Sequence, residues 1–116
     1  MKFDKSLLTG STTLLVLSLL RGGDKYGYEM ISELTRRSDG TFELKEGTLY
    51  PLLHTLEKGK YVSSYQREAE NGRVRKYYKL TKSGTRLLSD KTEEWALFSS
   101  KVNDVVYGAP PLNAYA

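Results

Sequence analysis

An α+β chain is predicted, and three features of the 116-residue sequence predict it. Three stretches with helical apolar spacing come before residue 60, two alternating stretches meet at Asn71-Gly72, and one long amphipathic stretch follows Thr81. The resulting order is helix, helix, short strand, helix, strand, strand, helix, with no internal repeat and no low-complexity tract.

The first helix spans residues 5–21. Its second half is apolar on nearly every side (Leu14, Leu15, Val16, Leu17, Leu19, Leu20), and such a helix must be covered on more than one face. A chain this short is expected to need a partner subunit for that. The stretch "RGGD" ends the helix and places Asp24 to cap the second one, residues 25–37, which sets Tyr26, Met30, Ile31 and Leu34 on one side. Asp39-Gly40 breaks that helix and leaves a β-like stretch at 41–44.

The third helix is "EGTLYPLLHTLEK". Leu49, Leu52, Leu53 and Leu56 fall at i, i+3, i+4 and i+7 and commit one face to a core. The opposite face carries Thr48, Pro51, His54, Thr55 and Lys58. Proline is tolerated in a first turn, where its missing N–H breaks no hydrogen bond, so the helix is expected to start near residues 46–48. Gly47 and Thr48 are small, so the backbone there is open to close approach, and free N–H groups in a first turn favour an anion. Tyr50 sits at the margin of the apolar stripe, where its ring can pack at the core edge or its hydroxyl can reach a phosphate oxygen. Gly59 stands where a left-handed residue is expected to end the helix.

Two strands follow. "KYVSSYQRE" leads into Asn71-Gly72, a strong hairpin signal, and "RVRKYYKL" returns. The return strand places Val74, Tyr78 and Leu80 on one face and Arg73, Arg75, Tyr77 and Lys79 on the other. Lys76 breaks the inward alternation near the hairpin tip, where its stem can still reach water. Thr81 caps the last helix, roughly 82–106, with Leu88, Trp95 and Val102 seven residues apart, Phe98 and Val105 interleaved, and Lys91 as an imperfection in the heptad. Such a helix spans about 37 Å, longer than the small body before it. Its seam calls for the first helix and a second copy of the chain. The divisions expected are 1–80 for the body, 81–107 for the long helix and 108–116 for a frayed tail.

Composition narrows the function. There is no cysteine, so no disulfide scaffold and no thiolate chemistry. The longest apolar stretches fall far short of the ~20 residues a bilayer requires, and "MKFDKSLLTGS" lacks the features of a signal peptide. A cytoplasmic protein with no membrane association is expected. No metal or cofactor motif is visible, and His54 is the single histidine. Alone it suits a groove-facing or solvent position rather than a metal ligand or catalyst. Glu29 and Glu33 share a helix face with nothing electrophilic beside them, which reads as a solvated face and not as an enzyme site. The net charge is +4, but residues 58–82 carry eight Lys or Arg against Glu68 and Glu70, a local +6. Basicity concentrated in one segment is the footprint of a polyanion-binding element.

A three-helix unit followed by an Asn-Gly hairpin is the winged helix-turn-helix arrangement, here with a long C-terminal dimerisation helix. "GTLYPLLHTLEKGKYV" followed by "GRVRKYYKLTKSG" closely resembles the PadR family of bacterial transcription regulators, and "LLVLSLLRGGDKYGYEM" fits that family's first two helices. The single long last helix resembles the short subfamily that includes multidrug-binding repressors. The resemblance implies a homodimer on an inverted-repeat operator in double-stranded DNA, with the third helix in the major groove. Thr48, Tyr50, Pro51, His54 and Lys58 are then the candidate contacts, and Arg73, Arg75 and Lys76 form a wing tracking the sugar-phosphate backbone. It also implies dimerisation through Leu14, Leu17, Leu88, Trp95, Phe98, Val102 and Val105. In the multidrug-binding relatives a tryptophan at this place stacks on flat aromatic ligands, which makes Trp95 and Ser99 candidate effector contacts; the alternative is a tryptophan that only fills the interface. A carboxylate matching a cationic ligand would come from Glu93 or Glu94. A winged-helix module binding RNA or a protein partner is the competing reading, since the fold alone does not fix the ligand.

Overall fold

The structure, a computed structural model, describes residues 3–108. Helix α1 (Lys5–Arg21) is capped by Asp4, whose carboxylate accepts from the Ser6 N–H at 3.0 Å. It is the central element of the core: Val16 and Leu17 are fully buried and Leu19 and Leu20 nearly so. The apolar second half is thus covered largely by the chain's own α2 (Gly27–Arg37), α4 (Lys82–Tyr107) and β3 (Val74–Leu80), with Leu14 and Leu15 only partly buried.

The short strand lies before α2 and not after it. Lys25–Tyr26 form β1, which pairs antiparallel with β3, and residues 41–44 form no strand. Tyr26 therefore caps α2, its N–H donating to the Glu29 carboxylate at 3.1 Å. Asp24 takes another job, accepting from the Tyr65 hydroxyl at 2.8 Å. Helix α3 (Glu46–Lys58) buries Leu49, Leu53 and Leu56 as its spacing requires. It ends on Gly59 with an ordinary helical φ of −77°; the left-handed residue is Lys60, at φ 63°. Glycine at 59 answers to crowding instead, because a Cβ there would lie 2.9 Å from the Tyr61 ring.

Strand β2 (Val62–Glu68) pairs along its whole length with β3, giving a three-stranded antiparallel sheet in the order β1-β3-β2. A five-residue loop joins them, with Gly72 at φ 80° and the Asn71 side chain accepting from the Arg73 N–H at 3.0 Å. The inner face of the sheet carries Val62, Tyr78 and Leu80 toward the helices. Val74, expected on that face, is 57% exposed because the hairpin tip runs past the body.

Thr81 caps α4 by accepting from the Gly84 N–H at 3.0 Å. Its hydroxyl also donates to the Lys60 carbonyl at 2.7 Å, so the start of α4 is pinned to the turn that follows α3. Only the first half of α4 joins the body. Leu88 is 3% exposed, whereas Trp95 and Phe98 are half or more exposed. The molecule is correspondingly elongated, 68 × 33 × 21 Å. Of the tail, residues 109–116 lie outside the described residues.

Candidate nucleic-acid interface

Helix α3 presents its polar face as a continuous exposed strip. Thr48, Pro51, His54, Thr55 and Lys58 are all exposed, as are Glu46 and Gly47 at the helix start. No side chain caps this end: Lys45 precedes it, and its carbonyl accepts from the N–H groups of Thr48 and Leu49 at 3.0 and 2.9 Å. A Cβ built on Gly47 would meet nothing within 4 Å, so the surface there is open. Pro51 corrects the reasoning that located this helix. It is the sixth helical residue, in the second turn, and so removes the donor that would have met the Gly47 carbonyl. Both ends of that missing bond lie on the exposed strip, where water or a ligand donor can reach the free carbonyl.

Tyr50 is at the core edge. Its ring lies over the first turn of α2, so close to Gly27 that any Cβ at 27 would collide with the hydroxyl and ring. Burial and the nearby Glu46 carboxylate push its hydroxyl above the ordinary tyrosine range. The residue is nonetheless 43% exposed, so one side of the ring still borders the strip. Tyr28, 63% exposed in the first turn of α2, was not singled out by the sequence. No periodic signal marks it, because it lies opposite the apolar side that defines α2.

The three wing cations have different fates. Arg73 stands exposed at the loop end of β3. Arg75 is half-buried, its guanidinium 4.2 Å above the Tyr26 ring. Tyr26 meets Tyr77 edge-on at 5.4 Å, and Tyr77 stacks beside Tyr65 at 5.7 Å with Arg67 above it. This ladder crosses all three strands on the outer face of the sheet and holds Arg75 in place. Lys76 points to the inner face, where its Nζ lies 3.6 Å from Glu57 of α3. Glu57 also accepts from the Ser64 hydroxyl, which with Lys76 holds its carboxyl below the usual carboxylate range.

The candidate seam divides as well. Trp95, Phe98, Val102 and Val105 are exposed along α4, with Trp95 and Phe98 rings 6.3 Å apart. Leu17 and Leu88 do not belong with them: both are buried within the protomer's own core, and Leu14 packs against that core half-buried. The exposed leucine of α1 is Leu7, at 66%. Heptad position alone could not separate the half of α4 that packs on α1 from the half that projects. Among the described residues, no helix is long and apolar enough to cross a membrane.

An exposed helix strip beside a cationic hairpin, carried on a three-helix body, is the winged-helix arrangement. The model of the PadR-like transcriptional regulator family matches residues 16–90, and the chain belongs to that family. Among solved structures it is similar to a transcriptional regulator from Clostridium thermocellum, 35% identical, covering 85% of this chain and 96% of that one with a TM-score of 0.78. A PadR-like regulator from Bacillus cereus is 30% identical over 90% of this chain and 99% of that one, again with a TM-score of 0.78. Among curated proteins, the transcriptional regulator YqjI of Escherichia coli is 27% identical over 100 residues, which span 86% of this chain but only 46% of that protein.

Proposed function

We propose that the chain acts as a homodimeric repressor that seats α3 in the major groove of an inverted-repeat operator and is released by a flat aromatic ligand. The observation that carries the DNA-contact reading is the uncapped, open start of α3 at Glu46 and Gly47, continuous with the exposed strip of Thr48, Pro51, His54 and Lys58. A recognition helix reads bases with its N-terminal residues, and two such helices in a dimer require half-sites about 34 Å apart. Lys58, Lys60 and Arg73 are exposed cations on or beside the strip, and across two protomers they supply six phosphate contacts.

Six neutralised phosphates give log K a slope of about −5 against log salt. Filter binding on a duplex selected by the protein from a random pool, repeated from low to high salt, is expected to show that slope and a preference over RNA of the same sequence. A flat salt response, or equal binding to RNA, overturns the reading.

Release by a ligand rests on Trp95. It is 50% exposed, flanked by the small Ala96 and followed one turn later by Ser99, whose hydroxyl is tied to the Ala96 carbonyl at 3.3 Å. A partner helix laid on this stripe would enclose the indole without filling the space over the small residues. Titrating a panel of planar aromatic compounds is expected to quench tryptophan fluorescence and weaken duplex binding in parallel. Quenching by none of them counts against a pocket and leaves Trp95 as interface filler.

A further inference from the structure

We infer that Glu57 is a positioning residue that fixes the wing against the recognition helix and keeps Lys76 from acting as a phosphate contact. The inference rests on the DNA-binding reading above and assigns a role to a residue with no part in it.

Glu57 lies in the last turn of α3, facing the inner side of the hairpin. Its carboxylate accepts from Ser64 of β2 and pairs with Lys76 of β3, 3.6 Å away. Among the described residues, these are the hydrogen bond and ion pair that join an α3 side chain to the two long strands. Ser64 pairs in register with Tyr78 and Gln66 with Lys76, so Ser64 and Lys76 sit two positions apart along the hairpin. One carboxylate thus grips both strands just before the hairpin leaves the body. An anion between two DNA-facing elements opposes phosphate, and a neutral side chain would serve ordinary packing. Its charge is matched instead to Lys76, whose side chain is half exposed and is drawn inward. The outer face is held separately by Arg75 over Tyr26, so the wing is braced on both sides, and of Arg73, Arg75 and Lys76 it is Arg73 that has no side-chain partner among the described residues.

Three single substitutions and one double test this on a selected duplex and on a random-sequence duplex, with thermal unfolding as the check on the fold. Lys76→Met is expected to leave the salt slope nearly unchanged while lowering the preference for the selected duplex about tenfold, within the range for directly coupled residues. Glu57→Gln keeps an acceptor for Ser64 but releases Lys76. Random-sequence binding is then expected to tighten several-fold and the slope to steepen by about 0.9 per protomer. Combining the two substitutions should abolish that steepening. Ser64→Ala, which keeps the charge pair, should leave the slope as in the wild type. A slope reduced by about 0.9 per protomer in Lys76→Met alone would make Lys76 an ordinary phosphate contact and overturn the inference. So would a Glu57→Gln effect that persists undiminished without Lys76. Wild-type protein with no salt-dependent binding to either duplex would instead remove the DNA-binding reading itself.

Discussion

Gly84→Ala is expected to destabilise the protein by about 3 kcal/mol, the upper range for forcing a methyl into a packed site. Gly84 lies in the first turn of α4, where alanine would normally be the better helix former by about 1 kcal/mol. The site reverses that sign. A Cβ at 84 would overlap the Tyr61 carbonyl oxygen, lie 2.9 Å from its carbon and 3.2 Å from the Leu80 side chain. Backbone cannot swing aside as a side-chain tip can, so α4 itself must shift. That shift strains the bonds through which Thr81 ties α4 to the preceding turn, its N–H and hydroxyl reaching the carbonyls of Tyr61 and Lys60. Urea unfolding followed by circular dichroism is the measurement. A midpoint raised by the substitution would mean that helix propensity outweighs the close approach.

The long elements were legible in the sequence because their signals are summed over many residues. The apolar spacing of α3 emerges as read, the alternation of the hairpin holds apart from the exposed Val74 at its tip, and α1 and α4 begin and end within a residue of their expected bounds. The errors are local choices decided by contacts that no periodicity encodes. A two-residue strand has no period, so the sequence carries no signal for β1, and Tyr26 falls in the apolar spacing of the helix that it caps. Asp24 offered a good cap but lies two residues too early, and its partner is 41 positions away on β2. Gly59 and Lys60 exchanged roles because the Tyr61 ring decides which position needs glycine.

The same reason governs the candidate site. The exposed strip of α3 follows from periodicity alone, so Thr48, Pro51, His54 and Lys58 were found together. Which wing cations are free does not follow from periodicity. Arg73, Arg75 and Lys76 look alike in the sequence, yet one is free, one is stacked on tyrosine and one is paired with Glu57. Tyr50 shows why the distinction matters. Its ring fills the space that Gly27 leaves, so its truncation would loosen α2 from α3 as well as alter the strip.

Phe98→Asp is expected to convert a dimer into a monomer without unfolding the protomer. The side chain is 61% exposed and lies in the half of α4 that projects from the body, so an aspartate there meets water in the isolated chain. In a two-fold dimer the same residue lies on both sides of the interface, and each substitution counts twice. Truncating a central aromatic costs roughly 2 kcal/mol or more. The dimer should therefore weaken by about 4 kcal/mol, close to a thousandfold. Sedimentation at micromolar concentration reads the loss, and an unchanged unfolding midpoint for the body separates it from misfolding. Leu17→Asp supplies the contrast, because Leu17 is fully buried within the protomer and its substitution should abolish cooperative unfolding altogether. An intact Phe98→Asp dimer would place the seam elsewhere. It would leave Trp95, Phe98 and Val102 as an exposed apolar stripe with nothing to cover it, a surface that soluble monomers rarely keep. The monomer should also lose the selected duplex far more than random DNA, since one recognition helix reads one half-site and only the pair fixes their spacing.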